Sequence, residues 1–112
     1  MGNLSISNST LSANSAYDEG GAIASFGAST LTLTGCTLSS NTALEGGAVY
    51  NQGTMTLSGC TLSSNIAHDE GGGIYCDNSS NYPMTVSNSA FANNAPDHIF
   101  GYYSDAGGNT FN

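Results

Sequence analysis

The chain has 112 residues, no lysine or arginine, and eight acidic side chains that give a formal charge of −8. Neutralising phosphates requires cations, so nucleic acid and anionic membrane surfaces are excluded as partners, and no carboxylate can pair with Lys or Arg of its own chain. The length suits one domain, residues 1–112, with one modest core, and no apolar run approaches the roughly 20 residues that a membrane-spanning helix needs.

The first element is the alternating run NLSIS at 3–7, followed by Leu11-x-x-Asn14 and then DEGGAI at 18–23. The same three signals return as TLTLT at 30–34, Leu38-x-x-Asn41 and EGGAV at 45–49. They return again as TMTLS at 54–58, Leu62-x-x-Asn65 and DEGGGI at 69–74. The fourth pass carries PMTVS at 83–87 and Phe91-x-x-Asn94, with DHIF at 97–100 in the place of the Gly-Gly segment. The Leu/Phe anchors are 27, 24 and 29 residues apart, and TLTGCTLSSN at 32–41 is almost rewritten as TLSGCTLSSN at 56–65.

Alternation at period two describes a half-buried strand, with Leu4, Ile6, Leu31, Leu33, Met55, Leu57, Met84 and Val86 facing inward and Ser or Thr outward. Gly-Gly pairs and β-branched runs oppose helix. Three short strands per repeat predict an all-β chain, a right-handed parallel β-helix of about four coils of 24–29 residues. Each residue then packs on its counterpart one coil away, about 4.8 Å along the axis. Asn14, Asn41, Asn65 and Asn94 are expected to form an amide ladder at a turn, where Asn tolerates left-handed backbone angles.

Gly20–Ile23, Gly46–Val49 and Gly71–Ile74, together with Phe91–Asn94, resemble the Gly-Gly-Ala-Ile/Leu/Val and Phe-x-x-Asn repeats of the chlamydial polymorphic outer-membrane proteins and related bacterial β-helix surface proteins. The resemblance spans about residues 3–100, with Leu for Phe in three copies. It implies an extracellular, non-enzymatic, adhesive or structural role. The opening MGNLSISNST lacks the basic start and apolar block of a secretory signal, while a composition rich in Ser, Thr, Gly and Asn points to an extracellular or cell-surface location.

Several constellations could carry chemistry. Glu19, Glu45 and Glu70 precede the Gly-Gly pairs and should line one edge with Asp18 and Asp69. That edge is a water-screened acidic surface, a calcium site with hard oxygen ligands, or a place where one carboxylate keeps its proton. Tyr50, Tyr75 and Phe100 should stack outward, either as a contact surface for glycans or surface proteins of a host or neighbour, or as simple column packing. The Ser/Thr columns are a solvated face, although regular threonine arrays resemble ice-binding surfaces. Cys36 and Cys60 share a repeat position as buried thiols or a disulfide, Cys76 stands apart, and sequons at Asn3, Asn8 and Asn78 arise from composition. No enzyme is expected: His68 and His98 sit in no catalytic motif, and there is no cation to stabilise a sugar-acid transition state.

An uncovered terminal coil exposes unpaired backbone groups. The closing GGNTFN reads as a loop that would precede a run such as NLSIS, so tail and head together complete a coil. The expected function is therefore a structural protein that assembles head to tail into a filament by strand addition, through Leu4, Ile6, Phe100, Tyr102 and Phe111. The alternatives are a piece of a larger adhesin or autotransporter passenger, and a carbohydrate-binding or polysaccharide-degrading β-helix module that uses Tyr50, Tyr75 and the acidic edge.

Overall fold

The structure is a computed structural model that describes residues 2–27, 29–77 and 84–112. The sequon at Asn78 and Pro83 at the start of the fourth alternating run lie outside the described residues. The first coil contains β1 (Asn3–Ser7), β2 (Thr10–Ser12) and β3 (Ile23–Ser25). The second contains β4 (Thr30–Thr34), β5 (Thr37–Ser39), β6 (Thr42–Glu45) and β7 (Val49–Asn51), and the third β8 (Thr54–Ser58), β9 (Thr61–Ser63), β10 (Ile66–Glu70) and β11 (Ile74–Cys76). The fourth has β12 (Met84–Ser87), β13 (Ala90–Ala92) and β14 (Ile99–Phe100), and a final half coil has β15 (Ser104–Asp105) and β16 (Thr110–Phe111).

Like strands of successive coils pair in parallel. Sheet A runs β1-β4-β8-β12-β15, sheet B β2-β5-β9-β13-β16, sheet C β6-β10, and sheet D β3-β7-β11-β14. Single bridges Ser15↔Thr42 and Ile66↔Ala95 carry sheet C into the first and fourth coils. The predicted register holds residue by residue: Leu31 lies on Met55 and Met55 on Met84, and Leu38 lies on Leu62 and Leu62 on Phe91. These columns and Val49, Ile74 and Cys76 form one buried core along the axis, because the inward rows of four sheets converge on it.

Two expectations change. The repeat was predicted to hold three strands, and the second and third coils hold a fourth, β6 and β10. Their inward residues are only Ala43 and Ala67, while Leu44 and Ile66 face solvent, so the apolar alternation that announces a strand is inverted. The closing segment is also not a loop. Ser104 and Asp105 lie on Thr85 and Val86, and Phe111 lies on Phe91, so the tail already fills the next rung of sheets A and B.

The Gly-Gly pairs have a steric cause. Gly46 has φ +67°, which suits glycine, and a Cβ on Gly47 would sit 2.2 Å from the carbonyl oxygen of Gly72 one coil on. The second glycine of each pair therefore lets two coils approach at a corner.

Candidate functional site: an amide ladder, an acidic edge and two open coil faces

The asparagine ladder forms inside the solenoid. Asn41 and Asn65 are fully buried, and Asn94 is nearly so. The Asn65 amide donates to Asn94 Oδ1 at 2.9 Å and to the Leu38 carbonyl at 3.0 Å. Its Oδ1 accepts from the backbone N–H and the Nδ2 of Asn41, both at 3.0 Å. Asn41 likewise donates to the Leu11 carbonyl, and its Oδ1 accepts the Asn14 N–H at 2.9 Å. At the far end Asn94 donates to the Leu62 carbonyl and lies 3.2 Å from His98 Nδ1, so His98 closes the ladder. Asn41 and Asn65 each tie their coil to both neighbours and replace water for buried backbone groups, Asn94 ties its coil to the third, and Asn14, expected as a rung, joins through its backbone N–H. The left-handed turn falls one residue earlier than expected, on Ala13, Ser40, Ser64 and Asn93, with φ of 56–58°. Those residues carry a strain of roughly 1–2 kcal/mol each, which the ladder bonds offset.

The acidic edge follows the predicted column in part. Glu19 bridges to Glu45, and Glu45 is in register with Glu70. Ligand atoms of Glu45, Asp69 and Glu70 lie within 4.8 Å of one another, whereas Asp18 and Glu19 do not join that group. Burial, and then the negative charges of Asp69, Glu19, Glu70 and Asp18, push the Glu45 carboxyl above its ordinary 4.5. Three carboxylates suit the hard-oxygen preference of calcium but supply fewer than the six to eight ligands it takes, so water would complete the shell.

The aromatic column stacks as expected, with Tyr50 5.1 Å from Tyr75 and Tyr75 5.1 Å from Phe100. As an exposed platform it does not stand. Tyr50 is only 4% exposed, because strand spacing closes the rings face to face and Phe26 covers the end of the column at 5.5 Å. The first-coil counterpart of Tyr50 is Ala24, too small for that task. Burial and the charges of Glu19 and Asp77 push the Tyr50 phenol up to about 12. Tyr75 and Phe100 keep only part of their surface in water.

Cys36, Cys60 and Cys76 are buried free thiols rather than a disulfide and an odd partner. Cys36 and Cys60 occupy one column and donate to the carbonyls of Ile6 and Leu33 at 3.3 and 3.4 Å. Burial raises the Cys60 thiol above its ordinary 9.0. His68 and His98 lie apart in role: His98 serves the ladder, and His68 is exposed on β10.

The two coil faces present the residues assigned to assembly. At one, β1, β2 and β3 have a free edge, Leu4 is 50% exposed and Ile6 is half-buried against the core. At the other, β14, β15 and β16 have a free edge, with Phe100 half-buried, Tyr102 84% exposed, and Phe111 exposed and stacked 5.0 Å from Phe91. The second face is stepped. Sheets A and B end in the half coil, whereas sheet D ends with β14 of the fourth coil. The predicted junction, with NLSIS completing the coil opened by GGNTFN, is thus displaced: β1 cannot fill a rung of sheet A that β15 holds.

Sequence reasoning missed the outer surface of sheet C, where Tyr17, Leu44 and Ile66 expose apolar surface beside His68. Its only sequence signal is the inverted alternation at 42–45 and 66–69.

Among curated proteins and among solved structures no significant match is found. The family model described as a right-handed β-helix region matches residues 2–112. Parallel register in every sheet and columns of like residues are the geometry that model describes, and the chain belongs to the right-handed β-helix family.

Proposed function

We propose that this chain is a non-enzymatic structural solenoid of an extracellular or cell-surface protein, extended at its open coil faces by strand addition. The observation that carries the reading is the pair of unpaired faces, each with apolar side chains beside free strand edges. The repeats similar to those of chlamydial surface proteins support the same setting.

A second copy stacked head to tail is the occupant we favour. The step requires that it arrive rotated by about half a turn, so that β1 and β2 continue sheets C and D while its own sheets C and D rest on β15 and β16. The edges that would meet at the second face are short: β14, β15 and β16 have two residues each, and sheet C reaches the fourth coil through the bridge at Ala95. With a cross-section of about 30 × 27 Å, each face covers roughly 600 Å², so a junction buries about 1,200 Å², the lower end of stable interfaces. In this reading calcium at Glu45, Asp69 and Glu70 would bridge neighbouring filaments across an otherwise repelling surface.

Electron microscopy and sedimentation of the purified chain test this. The expected result is a filament with a rise of about 22 Å per copy, from four and a half coils at the strand spacing, which disperses in the Leu4→Lys/Ile6→Lys variant. Filaments that persist unchanged in that variant refute the strand-addition contact. A monodisperse wild-type chain favours the second reading, in which neighbouring coils of one longer polypeptide cover the same edges.

A further inference from the structure

The outer surface of sheet C forms a recess outside the ladder, where the first coil meets the second. Ala43 and Ala67 turn inward and are buried, so Thr42, Leu44, Ile66 and His68 turn out. The bridge Ser15↔Thr42 sets the first coil beside them, with Tyr17 two residues further along. Ser15, Ala16, Tyr17, Thr42, Leu44 and His68 line an open cleft of about 570 Å³, a size that suits a small ligand. Tyr17 is 100% exposed and Leu44 40%, which puts apolar surface in water on a flank rather than at a strand edge.

The chemistry of the cleft selects its occupant. Away from the open coil face a peptide strand finds no ladder to join, because the backbone donates within the solenoid: Ala16 N–H to Thr42, Thr42 N–H to Asn14, Leu44 N–H to Asp18 and Ile66 N–H to Asn41. A sugar ring suits the mixture better. Its apolar face can lie on Tyr17 and Leu44, and its hydroxyls can reach Ser15, Thr42 and His68. Charge then discriminates among sugars. Asp18 directly follows Tyr17, Asp69 directly follows His68, and the Glu45, Asp69 and Glu70 carboxylates cluster beside them. With no Lys or Arg in the chain, uronic or sulfated sugars meet only repulsion. The geometry points to a binding site for amine-bearing saccharides of the glucosamine type, with the ring on Tyr17 and the ammonium toward Asp18 and Asp69. Ser15, Ala16 and Tyr17 belong to the first coil, so the site borders that open face and is read in the chain with the face uncovered.

The test is an NMR titration of the isotope-labelled chain with a glucosamine tetramer, its fully N-acetylated counterpart and a galacturonic acid tetramer. Saturable shifts at Thr42, Leu44 and His68 are expected with the glucosamine tetramer. Its affinity should be about tenfold above that of either comparator, equivalent to about 1.4 kcal/mol, and should fall with added salt. Tyr17→Ala should weaken binding roughly fivefold, and, because that ring is fully exposed, without loss of fold. Thr56→Ala on sheet A should bind as the parent does. Equal binding of the acetylated tetramer, full affinity in folded Tyr17→Ala, or shifts that never saturate would each overturn the assignment.

Discussion

Replacing Asn65 by alanine tests the idea that the solenoid is held by its internal ladder as well as by its apolar columns. The substitution deletes four hydrogen bonds: two that Asn65 Nδ2 donates and two that its Oδ1 accepts. Asn41 Nδ2 keeps the Leu11 carbonyl, and Asn94 Oδ1 keeps the Asn65 N–H, so the groups left without a side-chain partner are the Asn41 N–H and the Leu38 carbonyl. Both belong to the buried interior. The Asn41 N–H left unpaired costs roughly 1–3 kcal/mol, and the Leu38 carbonyl, which keeps its place in the β5–β9 ladder, costs less, which puts Asn65→Ala at about 3 kcal/mol. A domain of this size has a stability on the order of 10 kcal/mol, so the variant should fold but unfold at clearly lower urea, with the slope of the transition unchanged. Asn14→Ala is the control, because Asn14 lies on the open face and is exposed; its effect should stay within about 0.5 kcal/mol. Equal losses in the two variants, or less than about 1 kcal/mol for Asn65→Ala, would refute the ladder's role in stability.

Gly47→Ala should destabilise by about 3 kcal/mol or more, since its Cβ would meet the Gly72 and Ile66 carbonyls; urea unfolding reads this, and near-parental stability would contradict the close approach of the coils. For Glu45, whose carboxyl is raised above 4.5, the folded chain binds the proton more tightly than the unfolded chain. Its stabilising contribution is therefore present below pH 4.5 and declines as pH rises through the folded value. Glu45→Gln should flatten that decline and raise the melting temperature at neutral pH, and an unchanged pH profile would remove the coupling. Tyr50, at about 12, should ionise above the ordinary 10 in an ultraviolet titration, and its contribution to stability should fall as pH rises from about 10 to 12. Tyr50→Phe should remove one late-ionising phenol and leave Tyr75, which burial also raises.

The sequence by itself determined the coil. Its spacing, its alternating runs, the Leu-x-x-Asn columns and the Gly-Gly corners are local or periodic features, and in a parallel solenoid periodicity is contact: residues one repeat apart touch. That is why Leu38 on Leu62, Asn41 on Asn65 and Tyr50 on Tyr75 could be read from spacing. Tertiary structure decided whatever depends on which side of a strand meets water and where a rung ends. Ala43 and Ala67 gave sheet C too weak an inward signal to be seen, so the flank with Tyr17, Leu44 and His68 emerged only in three dimensions. Stacking closed the faces of Tyr50, which alternation alone turns outward. The segment 104–111 has little apolar alternation, and it becomes strand because the edges of β12 and β13 offer it backbone partners. That pairing, a property of the neighbours rather than of the segment, carries sheets A and B half a coil beyond the fourth.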